Sequence, residues 1–244
     1  MSTLNHYKDF TKTIEPLTRR HDRGRVFNDF LTAAICSYHQ TNIQTQLQEK
    51  DEENEALYME AISPYTKDEI NGFPKLMGIL MLSVNDAPYS DILGEYFTEH
   101  ITNGENGQFF TPSAVCEMMA LMQGEPNTIE GKKIADPACG SGRLLLAFAK
   151  ANPNNYFFGS DNNNTCAKMA TLNFFINGLR GEVAQMNTLT MEWYKGWHIN
   201  INGLGIVPVE KEQSYIWSAP PEGEPKLIEI PSLPNEDGKQ LTLF

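Results

Sequence analysis

Up to residue 122 the apolar positions of this chain repeat mostly at helical spacing. Val26, Phe27, Phe30, Leu31, Ala34 and Ile35 recur at the i, i+3, i+4 interval of one helix face. Residues 51–60 are acidic and also read as helix, with Leu57 and Met59 as its apolar anchors. Phe73 to Val84 is an apolar helix whose methionines read as core filling. Residues 1–88 are therefore expected to form a small helical domain. Another helix begins at Asp91-Ile92-Leu93-Gly94-Glu95-Tyr96-Phe97. The turn-rich Asn103-Gly104-Glu105-Asn106-Gly107 follows it, then Gln108-Phe109-Phe110-Thr111-Pro112 and an apolar helix from Ala114 to Met122. Pro112 suits the start of that helix because it has no N–H to leave unpaired.

Beyond this point short apolar runs alternate with helical ones. Ile134-Ala135, Tyr156-Phe157-Phe158-Gly159 and Glu182-Val183-Ala184-Gln185-Met186 read as strands. Between them lie helices carrying Leu144 to Ala149 and Ala167, Met169, Ala170, Leu172, Phe174 and Phe175. Residues 197–201 and 206–209 flank an Asn202-Gly203 turn and read as an inserted hairpin, and Ser214-Tyr215-Ile216-Trp217 as a fourth strand. Strands alternating with helices predict an α/β sheet, here with strand order 3-2-1-4 and its ligand site at the carboxyl ends of the strands. The expected units are 1–88, a sheet domain over 89–222, and a polar tail over 223–244.

The net charge of −12 argues against autonomous DNA binding, because that relies on Lys and Arg to neutralise phosphates. The densest basic cluster, Arg19-Arg20-His21-Asp22-Arg23-Gly24-Arg25, reads as a solvated stretch before a helix, with phosphate contact as the alternative. The four cysteines, at 36, 116, 139 and 166, form no Cys-x-x-Cys pair. Reduced thiols are expected, without disulfides or a zinc site. No apolar run approaches a membrane span, and the first residues lack the apolar core of a signal peptide, so a cytoplasmic location is expected.

The candidate chemistry centres on Asp136-Pro137-Ala138-Cys139-Gly140-Ser141-Gly142, between a predicted strand and a predicted helix. Glycines there can take positive φ and let the backbone approach a ligand, and the helix start offers unpaired N–H groups. No Lys-Ser/Thr pair follows and no full Gly-x-Gly-x-x-Gly is present, so this is not a phosphate loop. The seven residues resemble motif I of S-adenosylmethionine-dependent methyltransferases, in the form found in N-6 adenine DNA methylases. A glycine-rich helix start in an unrelated α/β domain is the alternative. Asp161, at the end of the second strand and followed by Asn162, stands where an acid can hold the ribose hydroxyls of an adenosine moiety; a helix N-cap is the competing reading.

The Asp91 helix and the run Gly107-Gln108-Phe109-Phe110-Thr111-Pro112 are similar to the type I restriction–modification branch of the same family, where the second element is motif X. The resemblance implies a Rossmann-like S-adenosylmethionine-dependent methyltransferase sheet. It implies that Phe110, Thr111 and Pro112 close over the methionine end of the cofactor, and that the motif I turn cradles it. Asn187 stands at the motif III position, usually an acid, that faces the adenine ring.

The family places Asn/Asp-Pro-Pro-Tyr/Phe after the fourth strand. Two oxygens there hold the amine of a flipped-out adenine while the aromatic stacks on the base. The corresponding residues here are Ala219-Pro220-Pro221-Glu222, so the side-chain acceptor and the stacking face are both replaced. Only 22 residues follow Glu222, and a truncated sheet is expected. Two functions remain open. One is DNA adenine methylation, with DNA gripped through a partner specificity subunit. The other is a catalytically inactive binding module in mobile-element or phage DNA metabolism. A methylase of protein or RNA fits the cofactor motifs but not the Gln-Phe-Phe-Thr-Pro segment. The final Gln240-Leu241-Thr242-Leu243-Phe244 turns apolar after a polar leader and resembles the pentapeptide by which replication proteins bind the sliding clamp. Gln240, Leu241, Leu243 and Phe244 are the docking residues on that reading, with an intramolecular contact as the alternative.

Overall fold

The computed structural model describes residues 3–40, 51–102 and 110–217. Six helices come first: α1 (Thr3–Thr18), α2 (Arg23–Ser37), α3 (Glu52–Ile62), α4 (Lys67–Ile70), α5 (Gly72–Asp86) and α6 (Ile92–Phe97). Short polar side chains start several of them. Asp22, Asp51 and Asp91 each accept a backbone N–H of the first turn of α2, α3 and α6, and Thr66 with Glu69 forms a reciprocal capping box on α4. The predicted stripe of α2 is buried, Val26, Phe27, Phe30 and Leu31 almost completely. Phe10, Phe30 and Tyr96 meet edge-on in the core it faces, with ring centroids 6.0 Å (Phe10–Phe30) and 5.4 Å (Phe10–Tyr96) apart.

Two sequence expectations fail in this region. Leu57 and Met59 are exposed, and α3 buries only Ala61. Residues two apart on a helix cannot share one face. In α5, Met77 is core but Met81 and Leu82 point outward. The basic cluster around α2 is spent on nearby acids, with Arg20–Glu69 at 3.4 Å, Arg23–Glu15 at 3.2 Å and Arg25–Asp29 at 3.5 Å.

The rest alternates strand and helix. In order come α7 (Ser113–Met122), β1 (Lys133–Asp136), α8 (Arg143–Ala151), β2 (Tyr156–Asp161), α9 (Asn164–Ile176), β3 (Arg180–Asn187), β4 (Glu192–Ile199) and β5 (Ile206–Val209). The sheet order is β1-β2-β3-β4-β5. The first three strands are parallel, and β4 and β5 are antiparallel additions. Strand β2 is buried along Phe157, Phe158, Gly159 and Ser160, as a parallel strand covered on both faces should be. Helix α9 is buried all round for the same reason, from Cys166 to Phe174. Cys166, Met169 and Leu172 join the core of the N-terminal helices, while Ala167, Ala170 and Phe174 pack with Phe157 and Val183 of the sheet.

The expected order 3-2-1-4 is half right. Strands β3, β2 and β1 are adjacent as predicted, but no fourth strand lies beside β1 among the described residues. Four residues join β3 to β4, which permits an antiparallel neighbour and not a crossover. The predicted hairpin forms between residues 197–199 of β4 and 206–209 of β5, while Ile201–Gly203 is a 3-10 turn in the connection. The expected strand Ser214–Trp217 is instead a turn. Ser214 Oγ accepts the Ile216 and Trp217 amides at 3.1 and 2.9 Å, and donates to Glu182 Oε1 at 2.5 Å. These bonds curl the chain and remove the amides a strand would use. Beside β1, helix α7 packs on α8 through Cys116 and Ala120 and leaves Met118, Leu121 and Met122 exposed.

One cation lies in the contact between α2 and α9. Lys168 is buried and donates to Asn28 Oδ1 (2.9 Å) and Thr32 Oγ1 (2.8 Å). Burial, reinforced by the Lys195 charge, pushes its pKa down to about 8. The unfolded chain thus binds more protons above that value, and stability from this group rises with pH. Against Lys168→Met, wild type is expected to gain about 2 kcal/mol between about pH 7 and about pH 10 in denaturant unfolding. A flat difference would place the ammonium in solvent.

Candidate functional site

Strand β1 ends at Asp136, and the turn that follows requires left-handed backbone at Gly140 (φ +55°) and Gly142 (φ +84°). It is tied to β2 by the Cys139 amide, which donates to the Ser160 carbonyl at 2.9 Å. Pro137 and Ala138 are exposed, so the backbone of the turn is open on that side. Asp136 Oδ1 accepts the Ala138 amide at 3.0 Å. At the end of β2, Asp161 accepts the Gly140 amide on Oδ2 (2.9 Å) and the Asn163 amide on Oδ1 (2.8 Å). Burial raises the pKa of Asp161, against the lowering effect of those two amides.

The cap of α9 is Asn163, which accepts the Cys166 amide at 3.0 Å, and not Asp161. Asn162 is exposed beside it. Asn187 ends β3 and accepts the Leu189 and Thr190 amides at 3.0 and 3.2 Å, which closes the β3–β4 turn. Thr188 Oγ1 then donates to the Pro137 carbonyl at 3.1 Å. Asp136, Asp161 and Asn187 thus stand in sequence at the carboxyl ends of β1, β2 and β3, around one glycine turn.

Phe110 lies against that turn. A Cβ on Gly140 would sit 2.7 Å from its Cε1 atom. The ring meets Phe97 edge-on at 5.7 Å, and the Arg143 guanidinium is 5.9 Å from its centroid. Thr111 and Pro112 are exposed, and the Thr111 carbonyl accepts Arg143 Nη1 at 3.3 Å. Pro112 is the N-cap of α7, as its position predicts. The segment 110–112 and the 136–142 turn are therefore neighbours.

The contacts that hold this geometry run mostly between residues far apart in the sequence. Asp91 is buried and accepts four donors: the Gly94 amide (2.8 Å), Ser141 Oγ (2.5 Å), Arg143 Nε (2.8 Å) and Asn173 Nδ2 (2.9 Å). Asn173 also donates to the Ser141 carbonyl at 2.9 Å. A Cβ at Gly94 would fall 2.2 Å from Asp91 Oδ2, so glycine is needed for the carboxylate to reach across to the turn. Asn173 carried a signal, since a buried amide inside an apolar helix must have a partner. His198 meets an acid on the adjacent strand: Glu182 Oε2 is 3.1 Å away, and Glu182 is fully buried.

The four cysteines are free and buried. Burial, with the charges of Asp161 and Asp136, holds the Cys139 thiol well above its usual pKa, so it is inert as a nucleophile. The candidate catalytic residues Ala219, Pro220 and Pro221 lie outside the described residues, as do Phe109, Gln240, Leu241, Leu243 and Phe244.

The acceptor set suits an adenosine-bearing ligand. A carboxylate offers about four acceptor positions. Asp161 uses two on backbone amides, which leaves two for a pair of hydroxyls. Asp136 keeps acceptor capacity beside the open face of the turn.

A curated relative, the type I restriction enzyme MjaVIII methylase subunit of Methanocaldococcus jannaschii, is 36% identical over 105 residues. That stretch is 39% of this chain and only 17% of the relative. A solved type I restriction-modification methyltransferase subunit from Streptococcus thermophilus aligns over 80% of this chain and 60% of its own, at 14% identity and TM-score 0.44. A Listeria monocytogenes protein described as a class I S-adenosylmethionine-dependent methyltransferase aligns over 74% and 52%, at 15% identity and TM-score 0.37. Both scores are low, so the assignment rests on sequence. The model of the N-6 DNA methylase family matches residues 87–224, which takes in the Asp91 hub, the 110–112 segment, the glycine turn and the acid after β2. On that match, over more than half of its length, the chain belongs to the N-6 DNA methylase family.

Proposed function

We propose that the chain binds S-adenosylmethionine at the glycine turn and serves DNA adenine N-6 methylation together with a specificity partner. The observation that supports the reading is the pair of carboxylates, Asp136 and Asp161, flanking a turn with left-handed glycine backbone at Gly140 and Gly142 and exposed residues at Pro137 and Ala138. Asp161 would receive the ribose hydroxyls with its two remaining acceptor positions. Asp136 would accept from the ammonium of the methionine end. Phe110, Thr111 and Pro112 would cover that end, and Asn187 would present its free amide hydrogens to the adenine edge. The cofactor supplies an activated methyl group. Transfer then depends mostly on alignment of the acceptor amine, which the family achieves with an amide-Pro-Pro-aromatic loop. DNA contact is assigned to a partner because the chain carries a net charge of −12.

A second reading is favoured by Ala219 and Glu222, which replace the oxygen acceptor and the stacking face. On it, the chain is a catalytically inactive cofactor-binding module that docks on a sliding clamp through Gln240, Leu241, Leu243 and Phe244. Transfer of labelled methyl groups from S-adenosylmethionine to unmethylated DNA separates the two. Label in N-6-methyladenine, with or without an added specificity subunit, supports the enzyme. Cofactor binding without transfer, together with clamp binding lost on deletion of residues 240–244, supports the module.

A further inference from the structure

Strand β1 is an open edge. It pairs with β2 on one side and with no strand on the other among the described residues. Lys133 and Ala135 are exposed, although a parallel strand is normally covered on both faces. An edge of this kind is the template on which a further strand adds. A second observation points to the same side of the molecule. Helix α7 buries only Cys116 and Ala120 as it packs on α8. Around the rest of that helix Val115, Met118, Met119, Leu121 and Met122 are 38–76% exposed, an apolar surface of the kind that marks a contact.

We infer that residues 226–230 of this chain add to β1 as an antiparallel edge strand, with Lys226 opposite Asp136, Leu227 opposite Ala135, Ile228 opposite Ile134 and Glu229 opposite Lys133. Three features select this occupant. The first is complementarity. In that register opposite charges face each other at both ends and apolar residues face each other between them, the cross-strand pattern that stabilises a ladder. Asp136 uses one acceptor position on the Ala138 amide and keeps others for Lys226. The second is length. Pro225 and Pro231 have no N–H to give, so they confine a ladder to the five residues between them, and β1 is four residues long. The third is reach. Ser214 Oγ accepts the Trp217 amide and donates to Glu182 of β3, and the Trp217 ring meets Trp193 of β4. Trp193 stands opposite Met186, near the carboxyl end of β3, so the chain leaves from that end and meets β1 running the opposite way. The slot beside β1 is three strand spacings from β3, about 14 Å, and residues 218–225 span up to about 26 Å when extended. Ile134 packs into the core that α8 shares. Ile228 then joins the α8 side, where α7 also packs, and Leu227 covers Ala135 on the opposite face. The inference does not rest on the cofactor reading.

Paired thiols in the full chain test the register. Ala135→Cys with Leu227→Cys puts two thiols directly opposite, whereas Ala135→Cys with Ile228→Cys puts them on opposite faces of the sheet. The four native cysteines are buried and stay out of mild oxidation. The first pair is expected to form an intramolecular disulfide, read by peptide mass mapping of the monomer, at least about 10-fold faster than the second. Amide exchange gives a readout without new thiols and serves if those variants do not fold. In wild type the amides of residues 133–136 that do not pair with β2 are expected to be protected, and Ile228→Pro is expected to speed their exchange by about 10-fold or more. Equal crosslinking of the two pairs overturns the inference, and so does a disulfide formed only between two chains, which gives the edge to a second copy. Fast exchange of those amides in wild type leaves the edge open, and protection unchanged by Ile228→Pro gives it to a different occupant; either result overturns the inference as well.

Discussion

Asp91→Ala is expected to cost about 3–5 kcal/mol of folding stability, the range for breaking one side of a buried ion pair. Four donors lose their acceptor at once: the Gly94 amide, Ser141, Arg143 and Asn173. None can turn to solvent easily, because Ser141 and Asn173 are themselves buried. The cap of α6 goes with them, worth about 1 kcal/mol of that total. Asp91→Asn should be milder, since an amide oxygen can still accept from Gly94 and one side chain, but it presents an NH2 group where Arg143 or Ser141 needs an acceptor. Denaturant unfolding of the two variants against wild type gives the order. A cost for Asp91→Ala below about 1 kcal/mol would mean that the carboxylate is solvated and that the hub is not what ties the helices to the turn.

Gly140→Val is expected to weaken cofactor binding by about 100-fold or more. Two effects add. The backbone at Gly140 is left-handed (φ +55°), a region that a β-branched residue avoids at a cost of about 1–3 kcal/mol. The added Cβ would also lie 2.7 Å from Phe110 Cε1, so the ring must leave the turn it covers. The Gly140 amide is the donor to Asp161 Oδ2, and any shift of the turn moves the acid assigned to the ribose. The global fold should survive, because the two cores are built mainly from α1, α2, α5, α6, α8, α9 and the sheet, and Gly140 belongs to neither. A cooperative thermal transition lowered by no more than about 10 °C, with binding lost, is the expected pattern. Unchanged binding would move the cofactor away from the turn.

Contiguous features were legible in the sequence and distant ones were not. The 136–142 turn, Asp161 and the 110–112 segment could be named because each is a local pattern whose chemistry is carried by adjacent residues. Helices α2, α8 and α9 were visible through their apolar spacing. The Asp91 hub was invisible as a hub because its side-chain partners lie 50 to 82 positions away. Cross-strand chemistry was missed in the same way. Glu182 is 16 residues from His198 in the chain, yet the two face each other in register. The Ser214–Trp217 error came from trusting aromatic and β-branched composition over a serine that can take the amides of the residues after it. The strand-order error assumed a crossover, whereas the Asn187 side chain closes a tight turn instead.

Calorimetric titration of the full chain with S-adenosylmethionine, repeated with Asp161→Ala, measures the nucleoside site most directly. One equivalent bound with a dissociation constant on the order of micromolar, displaced by S-adenosylhomocysteine and weakened at least about 10-fold by the substitution, is the expected result. No binding by wild type at ligand concentrations of about 1 mM, or binding indifferent to Asp161, would contradict the assignment of the glycine turn and its flanking carboxylates as the cofactor site.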